Sequence, residues 1–211
     1  KRAMEDGIPL HQAKTLAALD HMTLSRIFEG KGEIPLLDER LENLRQAGQI
    51  LLDRFQGSFI HVLEEAKGSA VKLISLVSEE FPSFNDIATY NGETVYFFKR
   101  CQLLTHDLWC TFSGKSWGRF SDLDQLTAFA DYKLPQVLRQ LGLIRYEPKL
   151  AARINRLEQI PSGSPEEVEI RAATIWAVEL LRQELVRRGQ KVTSAQLDSW
   201  LWNLGQDDSY R

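Results

Sequence analysis

An acidic residue lies between two apolar stretches in the sequence FADYKLPQVL, residues 129–138. Asp131 follows Phe129 and Ala130 and precedes Leu134, in what the pattern indicates is a tight link before a helix. Two roles are open to it. The carboxylate could be a turn or capping group that accepts nearby backbone N–H groups. Alternatively, it could face a cleft at a corner between helices, where apolar neighbours would remove water and leave its charge available to a cation.

A basic pair, Lys99 and Arg100, directly follows Phe97 and Phe98. On a partly buried helix, such side chains often extend their charged ends to solvent while their stems cover apolar surface. The other interpretation is a local cationic site for a phosphate group, which an acidic protein can also contain.

Glu169 begins a stripe of small and apolar residues on a long helix. A carboxylate buried there without partners would cost several kcal/mol, so the stripe predicts either a hydrogen-bond donor or a cavity beside it. The alternative is an exposed first-turn glutamate that the helix dipole stabilises. The residues that share the stripe are Ala172, Ala173, Trp176 and Leu180.

Asp198 and Trp202 are separated by one helical turn near the end of the chain. They are expected to lie away from a buried stripe of that helix, which comprises Leu197, Trp200, Leu201 and Leu204. A tryptophan off the buried stripe could stack on a planar ligand, or it could pack on another helix. Together with the carboxylate and the cations above, these residues could bind a phosphorylated nucleoside.

Helical periodicity dominates the chain and predicts one all-α domain over residues 1–211. Helix start signals are expected at Ser121, with Asp124 three residues later, and at Ser164. The Asn91-Gly92 pair predicts a minor β-hairpin near residues 88–97, although helical spacing in the same region favours a loop that leads into a helix.

Composition excludes several classes of protein. The 26 basic and 29 acidic residues give a net charge of −3, which argues against a protein held to nucleic acid by a basic face. Cys101 and Cys110 fall more than two turns apart on one predicted helix and cannot form a disulfide there, which indicates a reducing, intracellular setting. Neither a metal-binding spacing nor a membrane-length apolar run is present. The opening KRAMEDG suggests that the chain begins inside a longer protein.

Several stretches resemble the queuosine salvage protein family, the queuosine 5′-phosphate N-glycosylase/hydrolases. They occur in the family's order along essentially the whole chain, and the most specific are FADYKLPQ and EVEIR. The others are IPLLDERLENLRQAGQILLDRFQGSF, LVSEEFPSFND, FFKRCQLLTHDLW, EEVEIRAATIWAVELL and DSWLWN. The resemblance implies an all-helical fold related to the DNA glycosylase architecture. It also implies that this chain lacks an N-terminal part and a short basic C-terminal tail of its relatives.

The resemblance also assigns site residues. Asp131 corresponds to the family's essential carboxylate, and Lys99 falls on the lysine of an F-x-K-R motif. The remaining expected substrate-binding residues lie in three family motifs. They are Tyr132, Lys133 (where arginine is commoner) and Gln136 in FADYKLPQ, Glu169 and Arg171 in EVEIR, and Asp198 and Trp202 in a D-x-x-L-W pattern. The residue after this pattern, Asn203, stands where relatives can have aspartate.

The activity implied is hydrolysis of the N-glycosidic bond of queuosine 5′-monophosphate to release queuine, in the cytoplasm. We expect the partner to be this small-molecule substrate, with no cofactor, no metal, no directly bound nucleic acid and no membrane. Two alternatives remain open from the residues themselves: a non-catalytic helical binding or scaffold module, and a nucleic-acid base glycosylase.

Overall fold

A computed structural model describes residues 1–30, 32 and 34–207. They form a mostly helical structure with a single two-stranded sheet, which confirms the predicted all-α class with a minor hairpin. None of the described helices is long and apolar enough to cross a membrane. The elements in chain order are α1 (Arg2–Glu5), α2 (Ala13–Ala17), α3 (His21–Phe28), α4 (Leu37–Arg54), α5 (Phe59–Ala66), α6 (Ala70–Glu80), β1 (Ile87–Tyr90), β2 (Glu93–Tyr96), α7 (Lys99–Thr111), α8 (Lys133–Gln140), α9 (Pro148–Asn155), α10 (Pro165–Arg187) and α11 (Ser194–Leu204).

The two helices at the end of the chain begin at capping residues that the sequence encodes locally. The Ser164 hydroxyl accepts the main-chain N–H of Glu167, as predicted for the start of α10. At the start of α11, Thr193 and Gln196 exchange side-chain-to-backbone hydrogen bonds in a capping box. These contacts satisfy N–H groups that the first turn of a helix leaves without an intrahelical partner.

The hairpin and the start of α7 differ from part of the sequence interpretation. Strands β1 and β2 pair antiparallel around Asn91 and Gly92, whose φ angles of 52° and 84° suit a tight two-residue turn. Helix α7 then begins only at Lys99, so the preference for a loop running directly into a helix was wrong. Two residues therefore separate the end of the hairpin from the basic pair, which begins α7.

The helix expected from Ser121 does not form. Only a 3₁₀ turn is present at Leu123–Gln125. The carboxylate of Asp122 instead accepts hydrogen bonds from the hydroxyl of Ser69 and the N–H of Ala70, both at 2.6 Å. Asp122 thus caps α6, whose first residue, Ala70, lies 52 residues earlier in the chain. The stretch around Asp122 lies against the start of α6 and continues as an irregular segment.

The core has two main groups of buried side chains. One lies among α4, α5, α6 and α7, and includes Leu51, Phe55, Val62, Leu73, Val77 and Cys101. The other lies among α8, α10 and α11, and includes Leu134, Val137, Leu138, Val178, Leu197 and Leu201. Burial of such apolar surface is the main favourable contribution to folding.

A non-helical stretch, residues 126–131, lies between these two groups. Leu126 and Phe129 are buried against Ala70 of α6 and Ala195 of α11. The side chain of Gln102 on α7 accepts the N–H of Thr127 at 2.8 Å. The packing thus fixes the path of the chain just before Asp131.

Candidate active site

A cleft of about 880 Å³ lies where α7, α8 and α10 converge. Its volume is within the range typical of small-molecule sites. Its charged lining residues are Asp86, Lys99, Arg100, Asp131, Glu158, Glu167 and Arg171. Its other lining residues are Ser83, Ala130, Tyr132, Pro135, Gln136, Tyr146, Ile154, Leu157, Ile160 and Ile170.

Asp131 is a capping group, as one interpretation held, and it also lines the cleft, as the other interpretation requires. Its Oδ1 accepts the main-chain N–H groups of Lys133 and Leu134, at 2.8 and 3.2 Å, at the start of α8. The residue is half-buried and lines the cleft. Within residues 1–30, 32 and 34–207, its Oδ2 accepts no hydrogen bond. One oxygen is therefore used to hold the carboxylate in place, and the other remains available to a ligand.

Lys99 and Arg100 bring positive charge to the same cleft. Lys99 is the first residue of α7, and its main-chain N–H donates to Oδ2 of Asp86 at 3.0 Å. Arg100 donates to the carbonyl oxygen of Ser83 at 2.7 Å and lies 4.5 Å from the ring centre of Phe84. Neither side chain forms a salt bridge with any residue that the structure describes. Both cations are therefore available to an anion, as the phosphate-site interpretation requires.

Arg171 lines the cleft but is already paired. It donates to both carboxylate oxygens of Asp86, at 2.9 and 2.5 Å, and its Nε lies 3.6 Å from Oε1 of Glu167. Its guanidinium carbon lies 3.8 Å from the ring centre of Phe97. These contacts hold Arg171 in a fixed position on the wall of the cleft, where it links α10 to the residue directly before β1.

Asp86 is a site residue that was not singled out from the sequence. Partial burial acts to raise its pKa, but the hydrogen bonds from Arg171 and from the Lys99 N–H outweigh burial and leave the pKa below its usual value. Its position directly before a β-favouring run was the available signal. The partner residue on α10 could not be inferred from a single sequence.

The most deeply buried carboxylate near the cleft is that of Asp198 rather than Asp131. Asp198 is 5% exposed, and its Oδ1 accepts the main-chain N–H of Phe129 at 2.7 Å. Burial raises its pKa to about 7, the Phe129 N–H acts to lower it, the negative charge of Asp131 acts to raise it, and Lys99 acts to lower it. Asp198 is therefore electrostatically coupled to both Asp131 and Lys99.

The expected faces of α11 need correction. Asp198 was expected off the buried stripe, but it lies inside with Leu197 and Leu201. Trp200 was expected to be buried and is 76% exposed, and Leu204 is exposed as well. Apolar side chains occur on both faces of this helix, so helical spacing alone did not distinguish them.

Glu169 lies outside the cleft. It is exposed and accepts a hydrogen bond from the hydroxyl of Tyr90 on β1. The stripe it shares with Trp176 and Leu180 faces solvent, since these residues are 64% and 58% exposed. The buried residues of α10 are Val168, Thr174 and Val178. Glu169 is therefore exposed, as the alternative interpretation held, but it lies beyond the first turn, whose acidic residues are Glu166 and Glu167.

The remaining expected residues divide between the cleft and its surroundings. Tyr132 and Gln136 line the cleft and are exposed. Lys133 contributes its main-chain N–H to Asp131, while its side chain packs near Gly205. Trp202 is 43% exposed and does not line the cleft.

The cleft combines a carboxylate oxygen and two cations, carried by separate elements, in a partly apolar site. Such an arrangement can hold an anionic group at the cations while the carboxylate faces a developing positive charge. Among the described residues, no three His, Cys, Asp or Glu side chains are grouped so that they could hold a metal ion.

Comparisons with known proteins agree on one family. A family model described as queuosine salvage protein matches residues 1–211. A protein of Sphaerobacter thermophilus is 53% identical over 206 residues, which cover 98% of this chain and 64% of the relative. A Bos taurus protein is 38% identical over 216 residues, which cover 98% of this chain and 63% of the relative. A Schizosaccharomyces pombe protein is 35% identical over 211 residues, 98% of this chain and 60% of the relative.

All three relatives are named queuosine 5′-phosphate N-glycosylase/hydrolase. The chain spans less than two thirds of the length of these curated relatives.

Proposed function

The chain belongs to the queuosine salvage protein family, and we propose that it hydrolyses the N-glycosidic bond of queuosine 5′-phosphate to release queuine for reuse in tRNA modification. The observation that carries this proposal is the presence of Asp131 and Lys99 in one cleft. The names of the relatives, which specify this substrate and this reaction, support it further.

The chemistry of the base explains why a carboxylate is needed. Breaking the bond between C1′ and the base builds positive charge on C1′ and the ring oxygen of the sugar, an oxocarbenium-like state. Many purine glycosidases assist the leaving base by protonating N7. Queuine is a 7-deazapurine with carbon at that position, so this route is closed, and stabilising the sugar cation becomes the main task.

Asp131 is suited to this task. Its Oδ1 is held by two main-chain N–H groups, so the carboxylate does not have to reorganise as the sugar becomes positive. Its Oδ2 would face C1′, either to stabilise the cation or to form a transient bond with it. Water then attaches to C1′ as a hydroxyl group, any bond between C1′ and Oδ2 breaks, and the second proton of the water goes to the ring nitrogen of the departing base, which yields queuine and ribose 5-phosphate. This reaction requires no cofactor.

Lys99 and Arg100 would bind the 5′-phosphate. Charge-assisted hydrogen bonds to phosphate are stronger than neutral ones, and they would fix the sugar relative to Asp131. Tyr132 and Gln136, which also line the cleft, would contact the base, and the paired Arg171 would support the wall. Lys133, Glu169 and Trp202 lie off the cleft and would act through neighbouring residues.

The proposed partner is a small nucleotide rather than a nucleic acid or a membrane, with the cytoplasm as the site of action. The excess of 29 acidic over 26 basic residues supports the first point. The two free cysteines, Cys101 and Cys110, are consistent with a reducing compartment.

The direct test is to incubate the protein with queuosine 5′-monophosphate and to measure free queuine and ribose 5-phosphate by mass spectrometry. Equal release of both products supports the proposal. Release of queuine only from queuosine-containing RNA would identify a nucleic-acid glycosylase instead. Absence of product from any of these substrates would favour the binding-module alternative and overturn the proposal.

A further inference from the structure

We propose that Asp198 is a positioning residue for Asp131: by accepting the Phe129 N–H it fixes the chain segment that carries Asp131, and the charge of this buried carboxyl group affects how strongly the cleft binds the phosphate of the substrate. The inference rests on the proposed function, since it concerns the same cleft. In this role Asp198 does not contact the base. It acts on the substrate through Asp131 and Lys99.

The positioning part follows from one hydrogen bond. Oδ1 of Asp198 accepts the N–H of Phe129 at 2.7 Å, two residues before Asp131. Phe129 is buried, and Asp131 is fixed on its other side by the N–H groups that begin α8. The short segment between them is thereby held at both ends, so the direction of the Asp131 carboxylate depends on Asp198.

The effect of Asp198 on phosphate binding follows from the charged groups around it. Asp198 does not line the cleft, yet its charge interacts with those of Asp131 and Lys99, which do. With burial raising its pKa to about 7, Asp198 is mostly protonated below neutral pH and ionised above it. Ionisation adds a second negative charge beside Asp131, which competes for Lys99 and repels an anionic ligand.

Other charged groups on the elements around α11 are engaged elsewhere. On α10, Glu179 and Arg182 pair with each other at 2.6 Å, and Glu179 also accepts a hydrogen bond from Ser194. On α8, Lys133 packs near Gly205 at the opposite end of α11. On α7, burial lowers the pKa of His106, which favours its neutral form. The charge state of Asp198 thus depends mainly on burial, on the hydrogen bond from the Phe129 N–H, and on the charges of Asp131 and Lys99.

The charge of Asp198 is expected to affect the binding of a nucleoside that carries a phosphate. The KM for queuosine 5′-monophosphate is expected to rise roughly three- to tenfold between about pH 6 and pH 8.5, because a nearby buried anion opposes phosphate binding. The KM for queuosine without its phosphate is expected to change less than about twofold over the same range.

The decisive variant is Asp198→Asn. The asparagine oxygen can still accept the Phe129 N–H, while the side chain stays neutral at every pH. The variant is expected to lose the rise in KM above pH 7. Since the phosphate group itself titrates near pH 6, the wild type and the variant must be compared on the same substrate. The matched control is Asp122→Asn, because Asp122 also accepts a main-chain N–H but lies outside the cleft.

Two further measurements separate positioning from charge. Asp198→Ala removes the acceptor for Phe129 and is expected to lower kcat about tenfold or more at all pH values, since a small displacement of a catalytic group is costly. A carboxyl ¹³C NMR titration of the wild type, assigned with Asp198→Asn, follows Asp198 without any substrate.

A carboxyl signal that titrates near pH 7 and disappears in Asp198→Asn supports the inference. Titration of Asp198 below about pH 5, or an unchanged rise in KM in the variant, would overturn it. A wild type that releases no queuine at any pH would overturn the proposed function instead, and the NMR titration would still report on Asp198.

Discussion

Asp86 and Arg171 are 85 residues apart in the sequence and form two hydrogen bonds, of 2.9 and 2.5 Å, between the end of the hairpin and α10. The same Asp86 carboxylate accepts the N–H of Lys99 at 3.0 Å. One residue thus connects the wall of the cleft to the start of the helix that carries its cations. The ion pair has a structural role next to the proposed chemistry.

Replacing Arg171 with methionine is expected to lower the free energy of unfolding by about 2–3 kcal/mol, because it leaves a partly buried carboxylate without its main partner. Urea denaturation followed by circular dichroism measures this change. The control is Arg187→Met, since the Arg187 side chain is 74% exposed and its pair with Glu184 is on the surface. Its expected effect is below about 1 kcal/mol. Equal effects of the two substitutions would contradict a special role for the Asp86 pair.

The ion pair between Asp86 and Arg171 also makes the free energy of unfolding depend on pH. The pKa of Asp86 is lowered in the folded state, so its stabilising contribution is present above the ordinary carboxyl pKa and is lost as the pH falls through the lower native value. The free energy of unfolding is therefore expected to fall below about pH 4 less steeply in Arg171→Met than in the wild type. Parallel pH dependences for the two proteins would show that Asp86 does not contribute.

Asp131→Asn is expected to lower kcat for queuine release by about 10²–10³-fold, the usual loss when one electrostatic stabiliser is removed. The asparagine oxygen can still accept the N–H groups of Lys133 and Leu134, so thermal unfolding should remain close to that of the wild type. Asp20→Asn is the matched control, because Asp20 caps α3 in the same way. Retention of more than about a tenth of the activity would argue against Asp131 as the stabilising charge.

Lys99→Met is expected to raise the KM for the 5′-phosphate at least about tenfold, the equivalent of losing one charge-assisted hydrogen bond. The KM for queuosine without phosphate should stay nearly unchanged, which steady-state kinetics on the two substrates can show. Lys72→Met, at an exposed position on α6, serves as the control. If the variant bound both substrates equally poorly, Lys99 would have a role other than phosphate binding.

Asp198→Asn is expected to stabilise the protein at alkaline pH. The folded pKa of about 7 lies above the ordinary 3.8, so the folded wild type loses stability as the pH rises between these values. At pH 8 the variant should be more stable by up to about 4 kcal/mol, and the difference should disappear near pH 4. Thermal denaturation at a series of pH values tests this. A variant that is less stable at every pH would show that the charged form is the one the fold requires.

The described residues show which parts of the site a single sequence can predict. Asp131 and Lys99 were singled out from their sequence context, whereas Tyr132, Gln136 and Arg171 were expected from the family resemblance, and all five line the cleft. The start of α10 at Ser164 was also predictable from capping chemistry. In these cases, neighbouring residues determine the geometry.

The features that were missed depend on contacts between distant parts of the chain. Asp86 gains its role from Arg171, and Asp122 prevents the expected helix because it caps α6 instead. The buried face of α11 was misassigned because Trp200 is as apolar as Leu201, and only packing against α8 and α10 distinguishes them. Local periodicity contains no information about any of these partners.

Residues 126–131, which run between the two halves of the core, are held by hydrogen bonds at Thr127, Phe129 and Asp131 from α7, α11 and α8. The side chains of Tyr132 and Gln136, which also line the cleft, make none of these described hydrogen bonds. Under the proposed function, substitutions of these two residues are expected to change which bases bind without moving the Asp131 carboxylate. Base preference and bond cleavage would then depend on different residues and could evolve separately.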